Sequence, residues 1–196
     1  MPEHFCEDTL RRDLCRLNHR GLVIFTLSCA ERMLPNYRRF SEENQWGNSS
    51  VLRTALDLAW TWLESGTADR TLARKLAAEC CNQAPDTADF STILVSSALD
   101  AACSAKCVLD LLLDADVETA VEAASYARDT VDMYVQELED MPANSPDLES
   151  RIHLHPVMQR ELLNQRDALE SILSGISLQA AVNKWKAPAR SSIDIA

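Results

Sequence analysis

Cys29-Ala-Glu-Arg-Met-Leu-Pro-Asn-Tyr-Arg-Arg-Phe40 is the stretch whose reading decides the fold. Upstream of it, Leu22, Val23, Phe25, Thr26, Cys29, Ala30 and Met33 recur at helical spacing, so residues 18–34 read as a helix with one buried face. Pro35 disfavours helical geometry at Leu34 and is expected to end that helix. A second, charged helix is expected over residues 38–44. Tyr37 and Phe40 stand three apart, where side chains on one turn pack together. Trp46-Gly47-Asn48-Ser49-Ser50 reads as a loop ending in an N-cap for a helix over 51–64.

Working outward, a short helix is expected over 5–17, and another from Thr67 or Asp69 to 83. Residues 90–113 carry Ile93, Leu94, Val95, Ala98, Leu99, Val108, Leu109 and Leu111–Leu113 and are apolar nearly all round, as a helix surrounded by others would be. Asp100, Lys106 and Asp110 interrupt this segment and argue against a membrane span. Residues 117–141 read as a long amphipathic helix with Val117, Ala120, Val121, Ala124, Val131, Tyr134, Val135 and Leu138 inward. A break at 142–146 precedes a helical region over 147–174, disturbed near Pro156. A short helix over 178–185 and a polar tail follow. With only four glycines and little β-branched alternation in 196 residues, the expected class is all-α, a multi-helix bundle around a buried central helix at about 90–113.

The pattern Glu31-Arg32-Met33-x-Pro35-Asn36-Tyr37-x-x-Phe40, followed by the Trp46-Gly47 turn, resembles the YjaG-like family of small bacterial helical proteins. Asp57, three before Trp60, is similar to that family's next helix. The run from Pro85 to Phe90 resembles its helix entry, and Ala98-Leu99-Asp100-Ala101 its central helix. The cysteine that the family places directly after Asp-Ala falls one residue later, at Cys103. The resemblance implies an all-helical domain of unknown function, with Pro35, Asn36, Tyr37 and Phe40 as structural motif residues and no catalytic residues to carry over. It spans about 18–141. A single domain is expected over 1–175, with 176–196 a C-terminal extension or tail.

A net charge of −11 argues against a nucleic-acid binder, which needs clustered Lys and Arg for phosphate. It is compatible with a basic protein partner and equally with simple solubility. Between Asp110 and Asp140 ten carboxylates are offset by one base, Arg128. Glu118, Glu122, Asp129 and Asp132 fall opposite the apolar stripe of their helix, either as a solvated face or as a docking surface for a basic protein. Seven cysteines, an odd number at irregular spacing, and the absence of a basic, apolar leader point to free thiols in the cytoplasm.

Glu31, Arg32, Asp57 and Asp100 form a candidate buried polar network. A carboxylate in so apolar a helix as that of Asp100 needs a partner, and Arg32 is the candidate, the alternative being a perturbed acid in a pocket. Arg53 can also reach Asp57 one turn on. His153, His155 and Glu161 lack helical metal spacing, and Cys103 and Cys107 lie on a core helix, so no metal is expected. Cys29 beside Arg32 reads as an inert packing cysteine. No nucleophile elbow or phosphate loop occurs, and no cofactor is expected. Trp60 and Trp62 lie about 200° apart around their helix, so one of them needs a second packing surface or a homodimer interface. The expected function is non-enzymatic: an acidic helical protein binding a basic partner, immunity- or regulator-like. The alternative is an enzyme or ligand-binding protein built on Glu31, Arg32 and Asp100.

Overall fold

The computed structural model describes residues 6–142, 144–187 and 191–193. Among them lie nine α-helices, one 3-10 turn and no strand. The helices are α1 (Glu7–Leu14), α2 (His19–Asn44), α3 (Ser49–Ser65), α4 (Arg70–Asn82), α5 (Val95–Leu113), α6 (Val117–Leu138), α7 (Leu148–Leu154), α8 (Pro156–Leu173) and α9 (Leu178–Trp185).

Helix α5 is the central helix, packed against α2, α3, α4 and α6. It begins at Val95, later than its apolar run predicts. Asp86 caps a 3-10 turn over Thr87–Asp89, and Phe90 is extended, so Phe90 is spent on an aromatic contact instead of a helical turn. Short polar caps set the other starts. The Asn48 side chain accepts from Ser50 N, so α3 is capped two residues before Ser50. Asp69 caps α4, and Asp116 caps α6. Pro156 divides the expected 147–174 region into two helices: it occupies the first turn of α8, and His155 Nδ1 accepts from Val157 N.

The largest departure concerns Pro35, which does not end its helix. Helix α2 runs unbroken from His19 to Asn44 with Pro35 inside it. A mid-helix proline removes one ladder hydrogen bond and costs about 3 kcal/mol. Met33, Leu34, Tyr37 and Phe40, all buried around it, supply more than that in apolar burial. Just upstream of the proline, the Arg32 carbonyl also accepts Ser192 N–H at 2.9 Å. Between Gly21 and Leu34, α2 is enclosed on every side, since each residue there is buried, including Thr26, Ser28, Glu31 and Arg32. The expected single buried face is therefore a full circumference.

At its C-terminal end, Phe40 meets Phe90 edge-on at 5.0 Å and Trp46 at 5.9 Å, while Tyr37 lies 6.3 Å from Phe40. Gly47 has φ +74°, and a Cβ there would stand 2.3 Å from the Tyr37 hydroxyl, so the turn requires glycine twice over. Trp60 is buried in the core. Trp62 finds its second surface within the chain, against the His19 ring at 4.8 Å. Beyond Gly175, α9 packs on α2 and α3, and Ser191, Ser192 and Ile193 are buried instead of forming a polar tail. The start of the expected first helix at Phe5, and Ala143, lie outside the described residues.

Candidate functional site

Glu31 lies wholly inside the protein and is saturated with donors. Arg53 grips it at two points, Nη1 to Oε2 and Nη2 to Oε1, both at 2.8 Å. Trp60 Nε1 donates to Oε1 at 2.6 Å, and the backbone N–H of Ala187 donates to Oε2 at 3.1 Å. Arg53 also meets Asp57 at 3.1 Å, and Lys186 reaches the same Asp57 oxygen at 3.0 Å. Burial works against the Arg53 charge, but the Glu31 and Asp57 carboxylates outweigh it and hold the guanidinium above its ordinary range.

Arg32 does not pair with Asp100. Its partner is Glu161 of α8, contacted at 2.7 Å by Nη2 and 3.2 Å by Nε. Its remaining donors face the Ser28 carbonyl and the Cys29 sulfur. Gln165 Nε2 donates both to Glu161 and to the Ala124 carbonyl, each at 3.0 Å, tying α8 to α6. Burial pushes the Cys29 thiol up to about 11 against the pull of Arg32, so Cys29 stays protonated and inert near neutral pH. Asn36 Nδ2 donates to Ser192 Oγ at 2.8 Å, and Arg160 donates to the Ser192 carbonyl at 2.9 Å. Glu31 and Arg32 are thus buried and paired with Arg53 and Glu161, whereas Asp57 sits at the partly exposed edge of the Glu31 cluster.

Asp100 stands apart from these groups and bonds to α6 instead. Thr130 Oγ1 donates to it at 2.9 Å, and no cation reaches it among the described residues. Burial pushes its carboxyl up to about 7, opposed by the Thr130 hydrogen bond and reinforced by Asp129. Its hydrogen bond to Thr130 joins α5 to α6.

On the acidic face of α6, Glu118 and Glu122 are exposed and Asp129 and Asp132 are half-buried. Ala120, Val121, Ala124, Ala127, Val131 and Val135 are buried and leave Glu118, Glu122, Asp129 and Asp132 on the outer side, whereas Leu138, expected inward, is exposed. Glu118 is held by Arg11 of α1 at 2.7 and 3.0 Å, which lowers its carboxyl below the usual range. Glu122 forms no ion pair among the described residues; Cys107 Sγ lies 4.0 Å from it. Burial, followed by the Glu122 charge, pushes the Cys107 thiol up to about 12. Asp129 is bound by Arg128 at 2.8 Å. Asp132 accepts from Gln136 and lines a cavity of about 480 Å³, shared with Arg128, Glu149 and His153.

The histidine and cysteine candidates are scattered. Glu161 is committed to Arg32, and His155 caps α8 with its Nε2 3.9 Å from Glu139. Among the described residues no group of three or more His, Cys, Asp or Glu is placed to hold a metal, and no helix is long and apolar enough to cross a membrane. All seven cysteines are free.

Sequence reasoning weighed Glu161 only as a metal ligand and missed it as the partner of Arg32. Its signal was present, because Val157, Glu161, Gln165 and Ala168 follow one another at helical spacing along the buried stripe of α8. It also missed the Glu149 wall of the cavity, which only the fold of α7 against α6 and α8 creates.

No curated protein matches the chain. Its fold is similar to the crystal structure of a DUF416 family protein from Shewanella baltica OS155, with a TM-score of 0.78 and 26% identity, covering 88% of this chain and 89% of that one. The model of a family described as "Protein of unknown function (DUF416)" matches residues 9–186, and the chain belongs to that family.

Proposed function

We propose that the protein is a non-enzymatic binding module that captures a basic protein through the outer face of α6. The observation that carries this reading is the contrast in charge pairing along that face. Glu122 forms no ion pair among the described residues, and Asp132 lines a cavity with Glu149. Met133, one turn beyond Asp129, is 40% exposed and offers an apolar contact among the acids. Such a surface steers a cationic partner at long range and loses strength with salt.

The rival reading, a carboxylate–arginine pocket at Glu31, Arg32 and Asp100, has lost its geometric support. Glu31 and Arg32 are closed in and satisfied, and Asp100 is not among their partners. We further infer that the YjaG-like proteins resembled by the Glu31–Phe40 motif belong to this same family of unknown function, and that the protein works in the cytoplasm.

The test is affinity capture of the full chain from native lysate at low and high salt, read by mass spectrometry. A stoichiometric basic protein, released by salt and lost from Glu122→Lys/Asp129→Lys, is the expected result. Capture that persists in the charge-reversed variant would overturn the α6 assignment. Light scattering on the same preparation reports whether a homodimer occupies the face instead.

A further inference from the structure

Beyond α9 the chain returns to α2. Ser191, Ser192 and Ile193 are buried, although they belong to no helix. Ser192 is gripped at each of its polar atoms. Its N–H donates to the Arg32 carbonyl at 2.9 Å, its carbonyl accepts from Arg160 Nη2 at 2.9 Å, and its Oγ accepts from Asn36 Nδ2 at 2.8 Å. Ile193 joins the apolar core beside it. Asn36 is itself 2% exposed, and a buried amide is costly unless it is paired. The seam between α2 and α8 at Pro35–Asn36 is therefore a groove fitted to an extended serine–isoleucine segment.

The groove keeps its shape without that segment, because Arg32 is bonded to Glu161 and so ties α2 to α8 directly. The hinge that delivers the segment is Ala187. Its N–H donates to Glu31 Oε2 at 3.1 Å, and Lys186 beside it meets Asp57 at 3.0 Å. Ala187 nevertheless has φ +51°, a left-handed conformation that disfavours a residue with a Cβ by about five- to thirtyfold. Rotation about its N–Cα bond to a negative φ relieves that strain. The same rotation leaves the N–H on Glu31 and turns the chain beyond it away from its own groove. Strain in a short hinge favours exchange of the segment that it carries.

We propose that Ser191–Ile193 of one copy docks in the Pro35–Asn36 groove of a second copy and that the second copy's segment docks in return. The exchange keeps every hydrogen bond of Ser192, relaxes both hinges, and closes on a two-fold axis, so it stops at the dimer. The chain from Ala187 to Ser191 reaches at most about 14 Å when extended, so the two bodies meet beside the groove. Leu163, one turn from Arg160 on α8 and 51% exposed, supplies an apolar contact there. This interface is separate from α6 and does not rest on the binding-module reading.

The experiment mixes full chains carrying two different N-terminal tags and follows co-purification, with light scattering over a range of concentrations. A concentration-dependent dimer containing both tags is expected. Ser192→Pro, which removes the N–H donated to Arg32, should be monomeric and folded by circular dichroism. Ala187→Gly adopts a positive φ without strain and should weaken the dimer about fivefold or more. Isotope-filtered spectra of labelled and unlabelled chains should connect the Ile193 methyls of one chain to α2 of the other, a readout that needs no variant to fold. A strict monomer at every concentration, or Ile193 contacts within one chain only, would overturn the exchange. So would a dimer that survives Ser192→Pro or is unchanged by Ala187→Gly. Glu122→Lys/Asp129→Lys should leave the dimer intact; its loss there would move the interface to α6. If the exchanged dimer forms and no basic protein is captured, the α6 reading fails and the exchange stands.

Discussion

Glu31 and Glu161, inside the protein, and Asp132 and Glu149, at a cavity edge, are the same chemical groups under opposite conditions. Each interior carboxylate is wholly enclosed and meets a guanidinium at two points, with further donors filling its remaining lone pairs. The carboxylates of Asp132 and Glu149 line one cavity together with Arg128, which is also bonded to Asp129. Asp100 is an intermediate case, buried with one hydroxyl and no cation among the described residues, and its carboxyl rises to about 7. Charge in the sequence therefore says little about role; the number and kind of partners at each site decide whether a carboxylate fixes the fold or remains available to a ligand.

The comparison breaks most visibly in the interior. Arg32→Ala leaves Glu161 buried without its cation and should cost about 3–5 kcal/mol in urea unfolding. Replacing both partners, Arg32→Met with Glu161→Leu, should restore most of that loss, because no charge is then stranded. A loss below about 1 kcal/mol for Arg32→Ala would mean that the pair does not anchor α2 to α8.

Gly47→Ala comes next. A non-glycine residue at φ +74° costs about 1–2 kcal/mol in backbone strain, and the added methyl would also displace the Tyr37 hydroxyl. Thermal melts should show the loss, together with a change in the Trp46 fluorescence environment.

Asp100→Asn tests the intermediate case through pH. The folded value of about 7 lies above the ordinary 3.8, so the folded chain keeps a proton that the unfolded chain has lost. The contribution of Asp100 to stability is full below about pH 4, is lost as pH rises towards 7, and stays lost above that. The slope is at most about 1.4 kcal/mol per pH unit. Asn should flatten that slope and leave the variant more stable than the parent at pH 8. An unchanged stability profile between pH 4 and 8 would show that Asp100 titrates normally.

The smallest effect on stability is expected at the α6 face. Glu122→Lys should change unfolding free energy by no more than about 0.5 kcal/mol while weakening capture of a basic partner. A large stability loss would place Glu122 with the interior carboxylates instead.

The helices themselves were legible along the chain. Apolar spacing marked α2, α3, α5 and α6, and Asp69 and Asp116 stand where caps belong. The apolar run before Leu113 pointed to a central helix because nothing but surrounding helices could cover it. Asp57 and Arg53 are a turn apart, so their contact too is local. The partners of Arg32 and Asp100 were not legible, because Glu161 and Thr130 lie on other helices and no spacing rule connects them.

The sequence by itself determined the class, most of the helical segments and the acid-rich outer face of α6. Each of these depends on periodicity, capping and charge within a few turns of chain. The tertiary structure decided that Pro35 stays inside α2, that α2 is enclosed all round, that Arg32 chooses Glu161, and that Ser191–Ile193 return to cover the proline turn. It also created the cavity between Asp132 and Glu149. These outcomes depend on which distant surfaces meet, where the burial of many side chains outweighs one lost backbone hydrogen bond and a buried charge takes the nearest opposite charge that packing brings to it.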